Sequence, residues 1–369
     1  MRLRDIKLTD YRNCKNLSLD LDYDKVLIIG KNAQGKTNIL ESIYFLSALK
    51  SPRTSNNIEL INFDAENTEI NSNIVKSNTD VELDFSYSKE KKRTLAVNKV
   101  KTTPKNFKSV LKSVLFSTQD LLLLRGNPSD RRDWLDRAIS QIYPAYDERL
   151  SKYDKIRIQK NNLLKNYLKT GNINNTLFDV YNEQLVITGS NIIYLRKKFL
   201  KEIEQIAFEK HLTISETEEL KAEYDCSFLN GEIVLEDIAH AFSLALEERR
   251  IEEMRRGQAC VGPHRDDIIF RINGDDASKF ASQGQQRTVV LALKLSELDI
   301  ITRKTGDEPV LLLDDVLAEL DDLRQNYLLK SIDNNIQTII TSVDTILFEE
   351  DFLKGVKIYK IEQGRVILT

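Results

Sequence analysis

The sequence predicts an α/β fold: a mixed sheet, an adjoining antiparallel β region and an inserted, mostly helical second lobe. Three observations carry this expectation. The β-branched run Val26-Leu27-Ile28-Ile29 leads into the glycine-bounded stretch Gly30-Lys31-Asn32-Ala33-Gln34-Gly35-Lys36-Thr37 and then into helical periodicity. Apolar runs of the central-strand kind recur at Val310-Leu311-Leu312-Leu313 and Thr338-Ile339-Ile340. Between these ends, from Leu121 to about Arg255, the pattern changes to long helical stretches. The boundaries read as 1–115 for the N-terminal half of the first lobe, 116–256 for the helical insertion and 257–369 for the C-terminal half.

Composition bounds the answer. A chain of 369 residues is too long for one ordinary core, so two lobes are expected. Hydrophobic content of 41% and charged content of 30% fit a soluble globular protein. No apolar run approaches a membrane span, and Met1-Arg2-Leu3-Arg4-Asp5 lacks the apolar core of a signal peptide. Cys14, Cys226 and Cys260 are odd in number and lack C-x-x-C spacing, which points to a reducing cytoplasm and away from disulfides or structural zinc. The net charge of −3 does not advertise nucleic acid, although a global number hides local patches.

Taken in order, residues 1–30 read as strands, with Leu17, Leu19 and Leu21 alternating with polar residues and Asp10-Tyr11-Arg12-Asn13 as a polar turn. Ile39, Leu40, Ile43, Tyr44 and Leu46 place a helix over 38–49. Residues 50–78, rich in Asn, Ser and Asp, read as loop with short elements. Val81, Leu83 and Phe85 mark a strand, with 94–100 as its hairpin neighbour. This region carries Lys89, Lys91, Lys92, Arg93, Lys99, Lys101, Lys105, Lys108 and Lys112, which suit either a phosphate backbone or a lysine-protected sheet edge.

In the insertion, Leu163, Leu164, Tyr167 and Leu168 share one helical face, as do Ile192, Ile193, Leu195 and Phe199, with a polar break at 171–175. Helical segments read as ordinary in length, and Arg149, Lys152, Lys155, Arg157, Lys160, Lys165 and Lys169 read as a solvated face ahead of a DNA contact. After Gly257, 268–272 reads as a strand entering the Asn273-Gly274 turn, 285–302 as a helix, and 356–368 as a hairpin around Gln363-Gly364.

The chemistry starts at Gly30 to Thr37, which has the G-x-x-x-x-G-K-[ST] pattern in its required strand–loop–helix context. The glycines let backbone N–H groups face a phosphate, and the helix N-terminus adds its dipole. Lys36 reaches the β- and γ-phosphates, and the Thr37 hydroxyl suits Mg²⁺. Asp314-Asp315 at a strand end supply the acidic half: Asp314 for Mg²⁺ and Asp315 to orient or deprotonate water. Ser282-Gln283-Gly284-Gln285-Gln286-Arg287 opens a helix as a second anion-binding N-terminus, and Ala318-Glu319-Leu320-Asp321 follows the acidic strand.

This order of parts resembles the ATPase head of the ABC/SMC/Rad50 superfamily. Together with Asn127-Pro128-Ser129-Asp130-Arg131-Arg132, Asp136 and Gly262-Pro263-His264-Arg265-Asp266-Asp267, it is similar to the bacterial RecF family across nearly the whole chain. The resemblance implies a cytoplasmic, nucleoid-associated recombination mediator that binds ATP, Mg²⁺ and DNA (double-stranded, gapped or junction), dimerises on ATP, and works with RecO and RecR to load recombinase at gaps. Carried over, Lys36 and Thr37 are phosphate and Mg²⁺ ligands, with Gly30, Lys31, Asn32, Gly35 and Asn38 completing the loop. Ser282 acts in trans, Asp314 holds Mg²⁺, Asp315 is the catalytic carboxylate, and Arg12, Asn13 and Gln119 lie near the nucleotide.

Departures shape the expectation. Transporter-type ATPases end the acidic strand with Asp-Glu and place a switch histidine after the next strand. Here the acids are Asp-Asp, the corresponding stretch is Thr341-Ser342-Val343-Asp344, and the only histidines are His211, His240 and His264. Slow hydrolysis follows, suited to a timed clamp. A cohesin-like head would need hundreds of coiled-coil residues where about 140 lie. A scaffold in which ATP merely glues a dimer is the alternative outside catalysis. The Gly262 to Asp267 stretch reads as a structural turn, with Arg265 paired to an aspartate, rather than a metal site at His264, and Arg131 and Arg132 are candidates to brace the junction of the lobes.

Overall fold

The computed structural model describes residues 1–229, 234–332 and 336–368. The chain opens with β1 (Arg2–Leu3), β2 (Asp5–Tyr11), β3 (Cys14–Asp20), β4 (Lys25–Ile29), α1 (Lys36–Ala48), β5 (Asn67–Lys76), β6 (Thr79–Ser88), β7 (Arg93–Val97), β8 (Val100–Lys101), α2 (Pro104–Lys108) and β9 (Ser113–Ser117). It continues with α3 (Pro128–Ile142), α4 (Tyr146–Thr170), α5 (Asn175–Ser215), β10 (Leu220–Asp225), α6 (Leu235–Glu248), α7 (Arg250–Arg256), β11 (Asp267–Ile272), β12 (Asp275–Asp276) and α8 (Ala277–Phe280). It closes with α9 (Gln283–Thr305), β13 (Val310–Asp314), α10 (Asp322–Ser331), β14 (Thr338–Ser342), α11 (Glu350–Leu353), β15 (Lys357–Glu362) and β16 (Arg365–Leu368).

Two compact units result: Met1–Leu122, Thr213–Glu216 and Arg287–Thr369 form the first, and Leu123–Leu212 with Thr217–Gln286 form the second. The expected boundaries fell at 115/116 and 256/257, so the main difference is that residues 257–286 belong to the second unit. The cause is strand pairing, because β11 lies antiparallel to β10, with Ala222 opposite Phe270, and continues into β12.

In the first unit a six-stranded sheet runs β16-β15-β4-β14-β13-β9. The β15, β4, β14, β13 and β9 strands are parallel, and β16 returns antiparallel at the edge. Val26 to Ile28, Val310 to Leu313 and the whole of β14 are buried, as strands inside a parallel sheet usually are. The second sheet runs β3-β2-β5-β6-β7-β8 and is antiparallel, with β1 beside β5. The helix α1 carries the core that joins them, with Phe45 meeting Phe85 edge-on at 4.7 Å between ring centroids. Buried Gln337 ties the ends of the chain together: its Oε1 accepts the Leu3 N–H at 2.7 Å, and its Nε2 donates to Leu3 O at 2.8 Å and Leu21 O at 2.6 Å.

Several expectations change here. Residues 67–76, read as loop, form β5, whose inward positions are Thr68, Ile70, Ser72 and Ile74. Of the basic run in this region, Lys108 and Lys112 are buried, and burial lowers the Lys112 pKa to about 8. Helix length is not ordinary throughout, for α5 runs 41 residues. It continues through Gly189, where a Cβ would lie 2.6 Å from the Phe242 ring, so glycine there serves packing and not a break. Lys160 of the supposedly solvated face of α4 is buried against Glu253 at 2.5 Å.

The second unit is held by a buried polar network that uses both unassigned motifs. Arg196 pairs bidentately with Asp136 at 2.8 Å and donates to Pro263 O at 2.6 Å. Tyr224 donates its hydroxyl to Asp266 at 2.7 Å, Arg131 pairs bidentately with Asp267, and Arg132 donates to the Asp266 carbonyl. Arg265 instead donates to the Ala259 carbonyl, so the arginine paired with an aspartate of this turn is Arg131. Tyr153 Oη lies 2.7 Å from His264 Nδ1, while Nε2 faces Ala259 O at 3.3 Å. These partners assign a neutral ring with Nε2–H donating, so both ring nitrogens are engaged within the protein.

Burial pushes the Asp266 carboxyl up to about 6, against the Tyr224 hydrogen bond and the Arg196 charge. Between the unfolded value and about pH 6 the folded chain keeps a proton that the unfolded chain has lost, so stability falls as pH rises through that window. Relative to Asp266→Asn, the natural sequence should lose on the order of 2 kcal/mol between about pH 4 and pH 7. Urea titrations followed by the single tryptophan, Trp134, which packs against Phe270 in this unit, measure it. Parallel pH curves for the two proteins would contradict the assignment.

Candidate nucleotide-binding site

The loop after β4 is shaped by its backbone. Gly30 donates its N–H to Ser342 O at 3.2 Å, and Ala33 (φ 63°) and Gly35 (φ 108°) curl the chain into α1. Lys36, only 3% exposed, folds back so that Nζ donates to Gly30 O at 2.8 Å and Lys31 O at 3.4 Å. Its ammonium is thus held against the loop's own backbone.

Neighbouring segments hold the loop. A Cβ on Gly35 would lie 2.7 Å from Asn13 Oδ1, which itself accepts from Asn38 Nδ2 at 2.8 Å. The β15–β16 turn grips the other side: Gly364 N–H donates to Gln34 O at 2.8 Å and Gln363 N–H to Gln34 Oε1 at 2.7 Å.

The acidic half arrives through sheet register. Asp314 ends β13 opposite Thr341 of β14 and Ser117 of β9. Its Oδ1 accepts from Thr37 Oγ1 and from Thr341 Oγ1, both at 3.0 Å, and Thr341 Oγ1 also accepts the Asp315 N–H at 2.9 Å. Burial raises the Asp314 pKa, opposed by the two hydroxyl hydrogen bonds. Asp315 is left-handed (φ 50°), which turns its carboxylate to within 3.6 Å of Lys36 Nζ.

These groups border a cleft of about 490 Å³, within the roughly 300–1,000 Å³ typical of small-molecule sites. Asn13, Asn32, Gly35, Lys36, Thr37, Asn38, Gln119, Asp314 and Asp315 line it together; Gly30 and Lys31 contribute the carbonyls beneath Lys36. Arg12 stands one contact behind the lining, pairing bidentately with the buried carboxylate of Glu41, which does border the cleft, at 2.7 and 3.0 Å. Burial depresses the Arg12 pKa, but the Glu41 hydrogen bonds and charge raise it above the ordinary value. Ser282 belongs to the second unit, is exposed, and caps α9 with its Oγ accepting the Gln285 N–H at 3.2 Å.

Sequence reasoning missed Arg53 and Glu41, which also line the cleft. Arg53 Nη1 donates to Asn38 Oδ1 at 2.6 Å, and Glu41 accepts the Ser51 hydroxyl at 2.5 Å. Neither carried a motif: Glu41 interrupts the apolar face of α1, and Arg53 follows the helix in an unpatterned Ser51-Pro52-Arg53.

The hairpin clamp is testable. A Cβ on Gly364 (φ 72°) would lie 2.4 Å from Asn13 O, which is backbone and cannot step aside. Gly364→Val should therefore shift the loop and weaken binding of a fluorescent nucleotide at least about tenfold, roughly 1.4 kcal/mol. Unchanged affinity would show that the loop stands without its clamp.

Residues 2–366 match the family described as RecF/RecN/SMC N terminal domain. The chain is 36% identical over 369 residues to the DNA replication and repair protein RecF of Bacillus subtilis (strain 168), covering all of both chains. A solved structure of the recombination mediator protein RecF-ATP in the RecFOR pathway aligns with a TM-score of 0.90 and 34% identity, over 99% of this chain and 96% of that one. An Smc head bound to the C-winged helix domain of ScpA aligns with a TM-score of 0.57 at 14% identity, over 99% and 96%, a likeness of fold alone. The fold is that of an ABC/SMC-type ATPase head with an inserted helical part, and the chain belongs to the RecF family.

Proposed function

We propose that this chain is an ATP-dependent DNA-binding protein of recombinational repair, acting in the cytoplasm at the nucleoid. ATP drives a homodimer that clamps duplex, gapped or junction DNA and, with RecO and RecR, promotes recombinase loading; slow, DNA-stimulated hydrolysis resets it. One observation carries the reading: Thr37 of the phosphate loop and Asp314 of the acidic strand share a hydrogen bond of 3.0 Å, with Asp315 and Lys36 beside them. The RecF relatives, one of them solved as RecF-ATP, support the same assignment.

In this mechanism the loop N–H groups and Lys36 bind the β- and γ-phosphates, Asn13 and Asn38 keep the loop shaped, and Gln119 lines the cleft beside them. Thr37 Oγ1 and the buried Asp314 carboxylate are hard oxygen donors that suit Mg²⁺, and they would hold it together with phosphate oxygens. The ion, when bound, supplies charge neutralisation on the phosphates. Asp315 orients the attacking water and draws its proton. Ser282 completes the partner copy's site. The Lys36 contact to Asp315 and the absence of a histidine in Thr341-Ser342-Val343-Asp344 support slow turnover.

For DNA, Lys91, Lys92, Arg93, Lys99, Lys101 and Lys105 are exposed along β7, β8 and the start of α2. Pairs such as Lys92–Glu90 and Lys99–Glu82 are themselves exposed, so they oppose phosphate contacts only weakly. Among the described residues, no helix is long and apolar enough to cross a membrane.

Lys36→Met should abolish ATP-induced dimerisation in light scattering. Ser282→Arg should keep monomer ATP binding and block dimerisation; equal loss of both would contradict the trans role. Asp315→Asn should slow single-turnover hydrolysis by about 10²-fold or more, in line with general-base contributions. Equal, near-zero rates in both proteins would make ATP a dimer glue only. DNA affinity across duplex, single-stranded and gapped substrates, with a salt series, tests the clamp.

A further inference from the structure

We infer that Lys294 is a positioning residue for ATP hydrolysis: through a buried ion pair with Asp120 it holds in place the turn that carries Gln119 at the cleft. The inference rests on the proposed function and adds to it a residue that no phosphate-binding motif contains.

Asp120 closes a four-residue turn at the end of β9. Its Oδ2 accepts both the Ser117 N–H at 2.8 Å and the Ser117 hydroxyl at 2.9 Å. Its Oδ1 faces Lys294 Nζ at 3.0 Å. Ser117 is the register partner of Asp314, and Thr118 and Gln119, inside the turn, line the cleft. The two oxygens of one carboxylate therefore split between the cleft edge and α9. All of these residues lie in the first unit.

The pair is buried, with side chains 6% and 11% exposed, and Lys294 also contacts Glu297 at 3.3 Å. Burying one ammonium between two carboxylates costs desolvation and is a poor route to stability alone. What it adds is direction, since an ion pair with split hydrogen bonds admits one orientation of the turn where an apolar contact would admit several. Gln119 itself is exposed and follows that turn. A displacement of about 1 Å of a group near the reacting phosphate can cost about 10²-fold in rate. Lys294 sits on α9, the helix that begins directly after Ser282, so the Gln119 turn is tied to that helix by this pair.

Lys294→Met, Lys294→Arg and Asp120→Asn test it in the full chain. Asp120→Asn keeps an oxygen for Ser117 and removes the ion pair, and it serves should Lys294→Met not fold. The expected result is a fall in kcat of about 10- to 100-fold, with the Kd for ATP changed less than about threefold, and recovery to within about threefold of the natural kcat in Lys294→Arg. In parallel, amide exchange over Ser117–Leu122 should speed up at least about tenfold in Lys294→Met, with exchange over Gly30–Thr37 unchanged. Unchanged kcat in a folded variant, or kcat and ATP affinity lost in proportion, overturns the inference. Natural protein that binds ATP without turnover overturns the hydrolysis reading instead. Amide exchange then decides Lys294 alone: a selective rise supports the hold on the turn, and no rise removes it.

Discussion

The hydrogen bond from Thr37 to Asp314 joins residues 277 apart in sequence, and the cleft depends on it being possible. Its geometry is set by the parallel ladder β4-β14-β13-β9, in which Ile28 lies opposite Thr341, and Asp314 lies opposite both Thr341 and Ser117. A slip of one residue in β13 would turn Asp314 to the opposite face and bury Asp315 in its place. The uniformly buried faces of β4, β13 and β14 resist such a slip poorly by pattern alone, since they do not alternate. Specific bonds supply the register instead: Thr341 is shared between Asp314 and the Asp315 amide, and Gln337 fixes the start of β14 against Leu3 and Leu21.

The cleft was legible where its chemistry is local. Glycines at fixed spacing between strand and helix mark Gly30 to Thr37 in the sequence, and an acidic pair ending an apolar run does the same for Asp314 and Asp315; the structure brings Lys36, Thr37, Asp314 and Asp315 to one cleft. What stayed hidden is carried by residues whose type misstates their place. Thr68 and Ser72 are buried in β5 with their hydroxyls bonded to the Thr9 and Asp5 carbonyls, so a strand written in Asn, Ser and Thr resembled a loop. Lys160 looked solvated because charge suggests water, yet Glu253 and the Phe178 ring, 4.8 Å from its ammonium, give it a buried place. Arg12, expected near the nucleotide by resemblance, pairs in the structure with Glu41, a cleft-lining residue with no signature of its own.

The second unit shows why motifs need not be sites. Asn127 to Asp136 and Gly262 to Asp267 meet as complementary halves of one buried network, with Arg131 on Asp267, Arg132 on the Asp266 carbonyl, and Arg196 on both Asp136 and Pro263. Networks of this kind add little net stability over apolar packing, but a missing member leaves a buried charge unpaired. They therefore specify one arrangement of α3, α5, β10 and β11 more than they strengthen it. The β10–β11 pairing that drew residues 257–286 into this unit is part of the same arrangement, which explains why a boundary drawn on helical composition ended too early.

On the proposed function, the same side chains account for both readiness and restraint. Lys36 is held by two carbonyls of its own loop and approached by Asp315 at 3.6 Å. Phosphate oxygens arriving over the loop would take the ammonium from those partners, and in doing so would release Asp315 from its contact with Lys36. Binding and freeing of the carboxylate are then one event, and a carboxylate one methylene shorter than glutamate must still reach the water from a left-handed backbone position. That combination favours firm nucleotide binding before a slow chemical step, which is the order of events a clamp requires.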